Sequence, residues 1–440
     1  MLTINEKLAW AKNNPSFCPF PYATTDIRRN ENDPEKMDII CCCNVDMDKT
    51  VLGPAEDPFV EVKHSMESGH LPLACYRCVN EEKNGGQSER IRGILSLGPG
   101  EWPFDPNRNQ EFRIKFSNLC NLSCRSCTPY DSTTYAKITG RTEKTYLTQD
   151  ITEIDQYWNF ITTNIVRKIE TCEFFHLWLI GGETLVQPGV AKLCKWVIDQ
   201  GLAHRVGIKL STALSVNLSE ELLNLFTQFR SIWFGMSIDS VGDNYQYVRW
   251  PVKFEKIETN LSRMLEFKKT FLSTGMDKQF DFSLDPVFSL NNIFYIQEYL
   301  DYWCQWFDEH ESIMFLNTTL VERTRHLDIQ ALPVKYRAPL KHLLESCLSH
   351  KIFVKYPDKT NVMQGFIAAT ITELDQWPTD NQLWQFYLKF TAEFDTRTKT
   401  QFGILNARLF DLLDTEDKNT FNNLLANVNT SSPVQIHFSR

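Results

Sequence analysis

Three cysteines crowd the stretch Ser117 to Pro129, "SNLCNLSCRSCTP", with Cys120, Cys124 and Cys127 inside eight residues. Thiolates are soft metal ligands, and spacings of three and two intervening residues let one tight loop wrap a metal centre. A structural zinc ion closes with four ligands, and no obvious fourth Cys or His stands nearby. A cubane iron-sulfur cluster held by three thiolates instead keeps one iron open for a small molecule. A zinc loop that borrows a remote fourth ligand is the competing reading.

Six further cysteines lie upstream: Cys18 in "FCPFPY", Cys41, Cys42 and Cys43 in "IICCCNV", and Cys75 and Cys78 in "ACYRCVNEEKNGGQSER". Cys-x2-Cys is a generic metal knuckle, and two more thiols close a four-sulfur site. Spacing alone separates neither iron-sulfur from zinc nor one member of the triple cysteine from another, because strand neighbours point to opposite faces. The remaining four of the thirteen cysteines read differently. Cys194, Cys304 and Cys347 share stripes of period three and four with apolar residues, which puts each on the buried face of a helix; Cys172 is isolated. All four are read as core.

The scaffold that must position these thiols is legible from about residue 111 to 325. "EFRIKFS", "FHLWLI", "VGIKLST", "SIWFGMSID", "FDFSLDPV" and "SIMFLNT" read as strands. Helical patterns separate them, one opened by a capping box from Asn217 to Glu220. Six strand-helix units in succession imply a parallel sheet covered by helices, because parallel strands need crossover connections. The expected fold class is α/β, a partial (β/α)6 TIM-like barrel with a cysteine-rich N-terminal module and a helical C-terminal extension. The expected boundaries are 1–98 for the module, 99–110 for a Gly/Pro/Asn-rich linker, 111–325 for the barrel and 326–440 for the extension. Ligands bind such folds at the carboxyl ends of the strands. There the sequence places the cysteine loop, Gly181 to Glu183, Ser211 and Thr212, and Ser237 and Asp239.

Bulk composition narrows the classes. The 440 residues carry a formal charge of −9 and no run of five or six Lys/Arg, which disfavours a phosphate-tracking groove and hence nucleic acid. The start shows no signal-peptide pattern and no stretch reaches membrane-spanning length, so the expectation is a cytoplasmic protein without a membrane partner.

"CNLSCRSC", Cys120 to Cys127, resembles the C-x3-C-x2-C signature of the radical S-adenosylmethionine (SAM) enzymes, in the loop after the first barrel strand. "LIGGETL" resembles their Gly-Gly-Glu after the second strand. That assigns contact with the SAM amino group to Gly181, Gly182 and Glu183, where a missing Cβ lets backbone approach a ligand. "SIDSVGDNYQYVR" resembles a Ser-x-Asp followed by arginine that meets the SAM ribose and carboxylate, which brings in Ser237, Asp239, Arg249 and also Ser211. A solvent-exposed ion pair is the alternative for Arg249. The resemblance covers about residues 110 to 320, with a looser echo at "HLDIQALP". It departs from the pattern at Ser126, where the family often has an aromatic residue against adenine. The upstream thiols resemble SPASM or twitch accessory modules in an N-terminal variant, which implies a second cubane on Cys18, Cys42, Cys75 and Cys78.

The resemblance implies a [4Fe-4S] cluster on Cys120, Cys124 and Cys127 that reductively cleaves SAM to a 5′-deoxyadenosyl radical, which then takes a hydrogen atom from a substrate. It implies an auxiliary [4Fe-4S] cluster that relays electrons or shapes the cavity, and a reducing partner such as a flavodoxin or ferredoxin. The substrate implied is a peptide or protein side chain. A small metabolite or nucleotide-derived substrate, and a non-catalytic zinc-binding interaction protein, are the alternatives.

Overall fold

The computed structural model describes residues 4–29, 37–42, 59–83, 88–97, 110–141, 149–310, 313–315, 317–321, 324–378 and 380–434. Cys43 and most of the expected linker lie outside the described residues.

Among the described residues twelve strands occur in chain order: β1 Thr24–Arg29, β2 Met37–Ile40, β3 Gln110–Lys115, β4 Ser123–Cys124, β5 Phe175–Ile180, β6 Val206–Thr212, β7 Ser231–Met236, β8 Arg249–Trp250, β9 Gln279–Leu284, β10 Val287–Phe288, β11 Ile313–Phe315 and β12 Thr319–Leu320. Eight of them form one sheet in the order β11-β9-β7-β6-β5-β3-β1-β2. From β1 to β11 every neighbour is parallel, and β2 folds back antiparallel on β1. The order from β3 to β11 follows the chain with no reversal, so the crossover helices fall on one face. That is the arrangement of a partial (β/α)6 barrel rather than a doubly wound sheet.

Alternation along the strands decides which residues meet the helices. Phe112 and Ile114, Leu177 and Leu179, Ile208 and Leu210, Ile232 and Phe234, and Phe280 and Phe282 are buried in the main core. Phe280 packs edge-on against Phe267 and Phe271 of the helix Phe254–Ser273, and Phe234 against Phe226 of the helix Glu220–Phe226. Each such ring contributes about 1.5–3 kcal/mol by leaving water. The capping box expected from Asn217 is replaced by a cap at Ser219, whose hydroxyl accepts from the Leu222 N–H. The helix therefore starts at Glu220, and that glutamate occupies its first turn.

The opposite face of the sheet is polar and aromatic. Register partners run in one line across it, Asp26, Arg113, Trp178, Lys209, Trp233 and Asp281. The Arg113 guanidinium lies 4.0 Å from the Trp178 ring, and Lys209 sits between Trp178 and Trp233 at 5.7 and 5.8 Å. Glu111 accepts from Arg113 Nε at 2.9 Å and Lys209 Nζ at 2.7 Å. Against the cost of burial, these cations hold its carboxyl below the usual range. One layer nearer the strand ends come the small residues Ser211, Gly235 and Ser283, where Asp285 Oδ2 would stand 2.8 Å from a Cβ at Gly235.

The C-terminal extension is helical, with Val334–Cys347, Pro357–Leu374, Asn381–Thr398 and Thr415–Ala426 as its longer elements. The helix Asn381–Thr398 opens under the carboxylate of Asp380 and ends at Lys399 in the left-handed region, φ 56°. Among the described residues no helix is long and apolar enough to cross a membrane.

Candidate functional site

The cysteine loop leaves the carboxyl end of β3 and is fastened on several sides. Ser132 Oγ donates to Leu122 O at 2.6 Å and Thr134 Oγ1 to Cys120 O at 2.6 Å. Asn118 Nδ2 donates to Pro129 O at 3.1 Å, and the Cys127 N–H turns back onto Cys124 O at 3.0 Å. β4 pairs with β8, setting Cys124 opposite Arg249. The loop so held gathers its sulfurs: Cys120, Leu122, Cys124 and Ala213 form a small buried cluster, with Cys127 and Val252 packed against it.

Burial pushes all three thiols up. Cys120 reaches about 12, with the neighbouring Cys124 adding to the effect. Cys124 is raised by burial and partly restrained by Arg249, and Cys127 is raised by burial and by the charges of Asp131, Cys124 and Cys120. Neutral buried thiols are poor nucleophiles, whereas a thiol that ligates a metal gives up its proton to it.

The Gly-Gly-Glu turn at the end of β5 lies directly on this loop. Gly182 N donates to Ser117 O at 3.2 Å and Glu183 N to Leu119 O at 3.0 Å. A Cβ at Gly182 would stand 2.5 Å from Leu119 O and 2.8 Å from Cys120 Cβ, so the contact itself demands glycine. Glu183 is 1% exposed, and both carboxylate oxygens are taken by protein donors. Oε1 accepts from Thr212 Oγ1 at 2.5 Å and the Leu185 N–H at 3.2 Å, and Oε2 from the Ala213 N–H at 3.0 Å and Ser215 Oγ at 3.1 Å. Glu183 therefore bolts the turn to the end of β6. Its expected ligand contact would have to share oxygens already engaged.

At the next strand ends, Ser211 Oγ accepts from Trp178 Nε1 at 2.9 Å, and the Ser237 N–H donates to Thr212 O at 2.9 Å. Asp239 Oδ2 takes Arg249 Nε at 2.8 Å and Nη2 at 2.7 Å, while Oδ1 takes the Val287 N–H at 2.9 Å. Arg249 also places Nη1 3.6 Å from Cys124 Sγ. The pair is internal, with side-chain exposures of 12% and 1%, so Arg249 is not a solvent ion pair. Despite burial, the charges of Asp239 and Cys124 hold its guanidinium firmly protonated. The cysteine loop, the glycine turn and Asp239–Arg249 thus meet at one end of the sheet.

Asp285, not among the residues expected from the sequence, lies just past the end of β9. Burial pushes its carboxyl up to about 6, against donation from Ser283 Oγ and the Asn317 N–H. The sequence signal was available: an acid at a strand's carboxyl end, in "SLDPV".

The upstream thiols surround a small pocket lined by Cys18, Phe20, Leu71, Cys42, Cys75, Cys78 and Arg90. The cavity takes Cys42 and not Cys41. Cys18 is raised by burial and then by Cys42, and Cys75 reaches about 12 through burial, offset by Arg90. Arg90 is 3% exposed; it pairs with Glu82 at 2.5 Å and donates to Phe17 O at 2.9 Å. Ser88 also donates to Glu82. Glu82, Ser88 and Arg90 of "CVNEEKNGGQSER" thereby close the wall behind the Cys75–Cys78 knuckle. The strand register fixes where this cavity lies. Ile40 pairs with Asp26 and Thr24 with Glu111, so Cys42 sits toward the amino ends of β1 and β3. The cysteine loop leaves the carboxyl end of β3, five residues or about 17 Å farther along the strands. Cys172, Cys194, Cys304 and Cys347, which belong to neither thiol set, are buried. Among the described residues no three His, Cys, Asp or Glu side chains are arranged to hold a single metal ion.

No protein-family model and no curated protein matches the chain. Among solved structures it is similar to anSMEcpe with bound AdoMet, at 16% identity and TM-score 0.38, covering 56% of this chain and 62% of that one. SuiB of Streptococcus suis bound to the precursor peptide SuiA matches at 12% identity and TM-score 0.33, over 76% of this chain and 73% of that one. A second anSMEcpe structure, with AdoMet and the Cp18Cys peptide, matches at 15% identity and TM-score 0.33. The chain thus spans less than two thirds of anSMEcpe. With TM-scores below 0.5, these likenesses decide neither fold nor chemistry, which rest on the strands and side chains above.

Proposed function

We propose that this chain is a radical SAM enzyme acting on a peptide or protein side chain. One observation carries the reading: the Cys-x3-Cys-x2-Cys loop leaves the carboxyl end of the first barrel strand with its thiols gathered against the glycine turn and Arg249. The donor set fits a cluster with an open corner. Cys120, Cys124 and Cys127 would hold three irons, and Arg249, anchored by Asp239, supplies a cation and an N–H beside the Cys124 sulfur. When bound, a reduced [4Fe-4S] cluster supplies the low-potential electron for reductive cleavage of SAM.

The other residues bind, orient and exclude water. Gly181 and Gly182 let the turn lie directly on the cysteine loop, so that its backbone is assigned to the SAM amino group, and Ser237, Asp239 and Arg249 are assigned to its other polar groups. Glu183 keeps the pocket in register through Thr212, Ala213 and Ser215. The layer of Ser211, Gly235 and Ser283 above the tryptophan row is assigned to the substrate side of the site. A peptide is the first substrate class to screen, being the ligand named for SuiB and for two anSMEcpe structures.

Cys18, Cys42, Cys75 and Cys78 are proposed to hold the auxiliary cluster, in a cavity that four thiols line. Its place toward the amino ends of the strands favours electron relay from a flavodoxin- or ferredoxin-like donor over direct contact with substrate at the mouth. The test is anaerobic reduction of the iron-loaded protein with SAM. 5′-Deoxyadenosine should form in the unsubstituted chain and vanish in C124A; its absence from both overturns the proposal.

A further inference from the structure

Arg125 stands between the second and third cysteines of the loop, yet none of its side chain reaches solvent. Its guanidinium lies 3.7 Å from the ring of Tyr247 and 4.7 Å from that of Phe394. Nε donates to Tyr247 O at 2.9 Å, and Nη2 donates to Thr400 Oγ1 at 2.9 Å and to the carboxylate of Asp395. The Arg125 backbone N–H also donates to Val248 O at 2.9 Å, immediately before β8 and Arg249. Asp395, 270 residues away in the helix Asn381–Thr398, is 2% exposed. Its second oxygen takes the Phe402 N–H at 2.6 Å, and Phe402 stacks on Tyr247 at 6.4 Å. One side chain thereby joins the cysteine loop, the helix leading to Arg249 and the C-terminal extension.

A buried charge is costly unless paired, and apolar residues of similar volume would often fill the place with no loss of stability. What an ion pair adds is a fixed register, and arginine's planar fork serves three acceptors where lysine's single ammonium would not. Tyr247 and Phe394 hold that fork in plane, so the loop between Cys124 and Cys127 is set by residues that touch neither sulfur nor ligand.

We infer that Arg125 and Asp395 are positioning residues through which the C-terminal extension sets the cluster loop and the electrostatics of the metal centre it holds. The inference rests on the reading of Cys120, Cys124 and Cys127 as cluster ligands. It makes the extension a working part of the site rather than a cover over it.

The experiment compares the full chain with D395N, R125K and the double variant R125M/D395L, each loaded with iron and sulfide. Four readouts are taken: iron content, the cluster midpoint potential, the change that SAM produces in the electron paramagnetic resonance signal of the reduced protein, and thermal unfolding of the metal-free chain. D395N leaves the Arg125 charge unpaired, and should lose most of the SAM-dependent signal and raise the midpoint potential of the cluster that remains. R125K keeps a charge without the fork and should not rescue the signal. R125M/D395L removes both charges, and should unfold near the temperature of the unsubstituted chain while the SAM-dependent signal stays altered. Recovery of that signal together with stability in the double variant would reduce the pair to packing and overturn the inference. So would unchanged spectra in D395N and R125K. A parent chain that binds no iron at Cys120, Cys124 and Cys127 would sink the ligand reading itself, and this inference with it.

Discussion

Replacing Gly182 with alanine places one methyl group where the glycine turn meets the cysteine loop. The added Cβ would lie 2.5 Å from Leu119 O, 2.8 Å from Asn118 O and 2.8 Å from Cys120 Cβ. Carbon atoms prefer about 3.5–4.0 Å, so Cys120 must retreat by about 0.7 Å or more. Two of the three obstacles are backbone, and the loop is tied by Ser132, Thr134 and the β4–β8 pairing, so no flexible side chain absorbs the displacement. Overpacking of this kind costs about 1–3 kcal/mol. The larger effect falls on chemistry, because a misplacement of about 1 Å at a reacting centre can cost roughly 100-fold in rate. G182A should therefore unfold at lower temperature, bind less iron and form 5′-deoxyadenosine on the order of 100-fold more slowly. Gly365, inside the helix Pro357–Leu374, has nothing within 4 Å of an added Cβ. G365A is the control, and should be neutral or stabilising by up to about 1 kcal/mol. Wild-type iron content and turnover in G182A would refute the claim that this turn shapes the cluster loop.

Other expectations follow from the same geometry. If both thiol sets hold cubanes, the chain carries about eight irons; C75A should fall toward about half and keep some uncoupled SAM cleavage, whereas C127A should keep none. R249Q leaves Asp239 buried without its cation, a loss of about 3–5 kcal/mol, and takes a positive charge from Cys124, so unfolding temperature and cluster midpoint potential should both drop. Asp285 binds its proton more tightly folded, at about 6, than unfolded, at about 3.9. Between roughly pH 4 and 6 the native state therefore holds more protons than the unfolded one, and stability falls as pH rises through that window, by up to about 1.4 kcal/mol per unit of displacement. D285N should flatten that part of the stability profile, and an unchanged profile would contradict the assignment.

The β/α alternation was readable because the helix-facing positions of each strand, such as Leu177 and Leu179 or Phe280 and Phe282, are uniformly apolar. The thiol loop and the glycine turn were readable because their spacing is local. What escaped was set by contacts between distant parts of the chain. β1, "TTDIRR", joins the main sheet beside β3, but its polar residues hide a strand whose one face carries the row of Asp26, Arg113 and Trp178. The choice of Cys42 over Cys41 needed the register of β2 against β1. Glu183 looked free for a ligand because its partners Thr212, Ala213 and Ser215 lie some 30 residues on. Arg125 read as an ordinary loop charge, since nothing local announces a carboxylate 270 residues away.

The most direct test isolates the loop. A variant with Cys18, Cys42, Cys75 and Cys78 all replaced by alanine should still bind about four irons and four acid-labile sulfides, with a resonance signal that changes when SAM is added. Zinc without sulfide in that variant, or an iron signal indifferent to SAM, would contradict a three-thiolate cluster with one open iron.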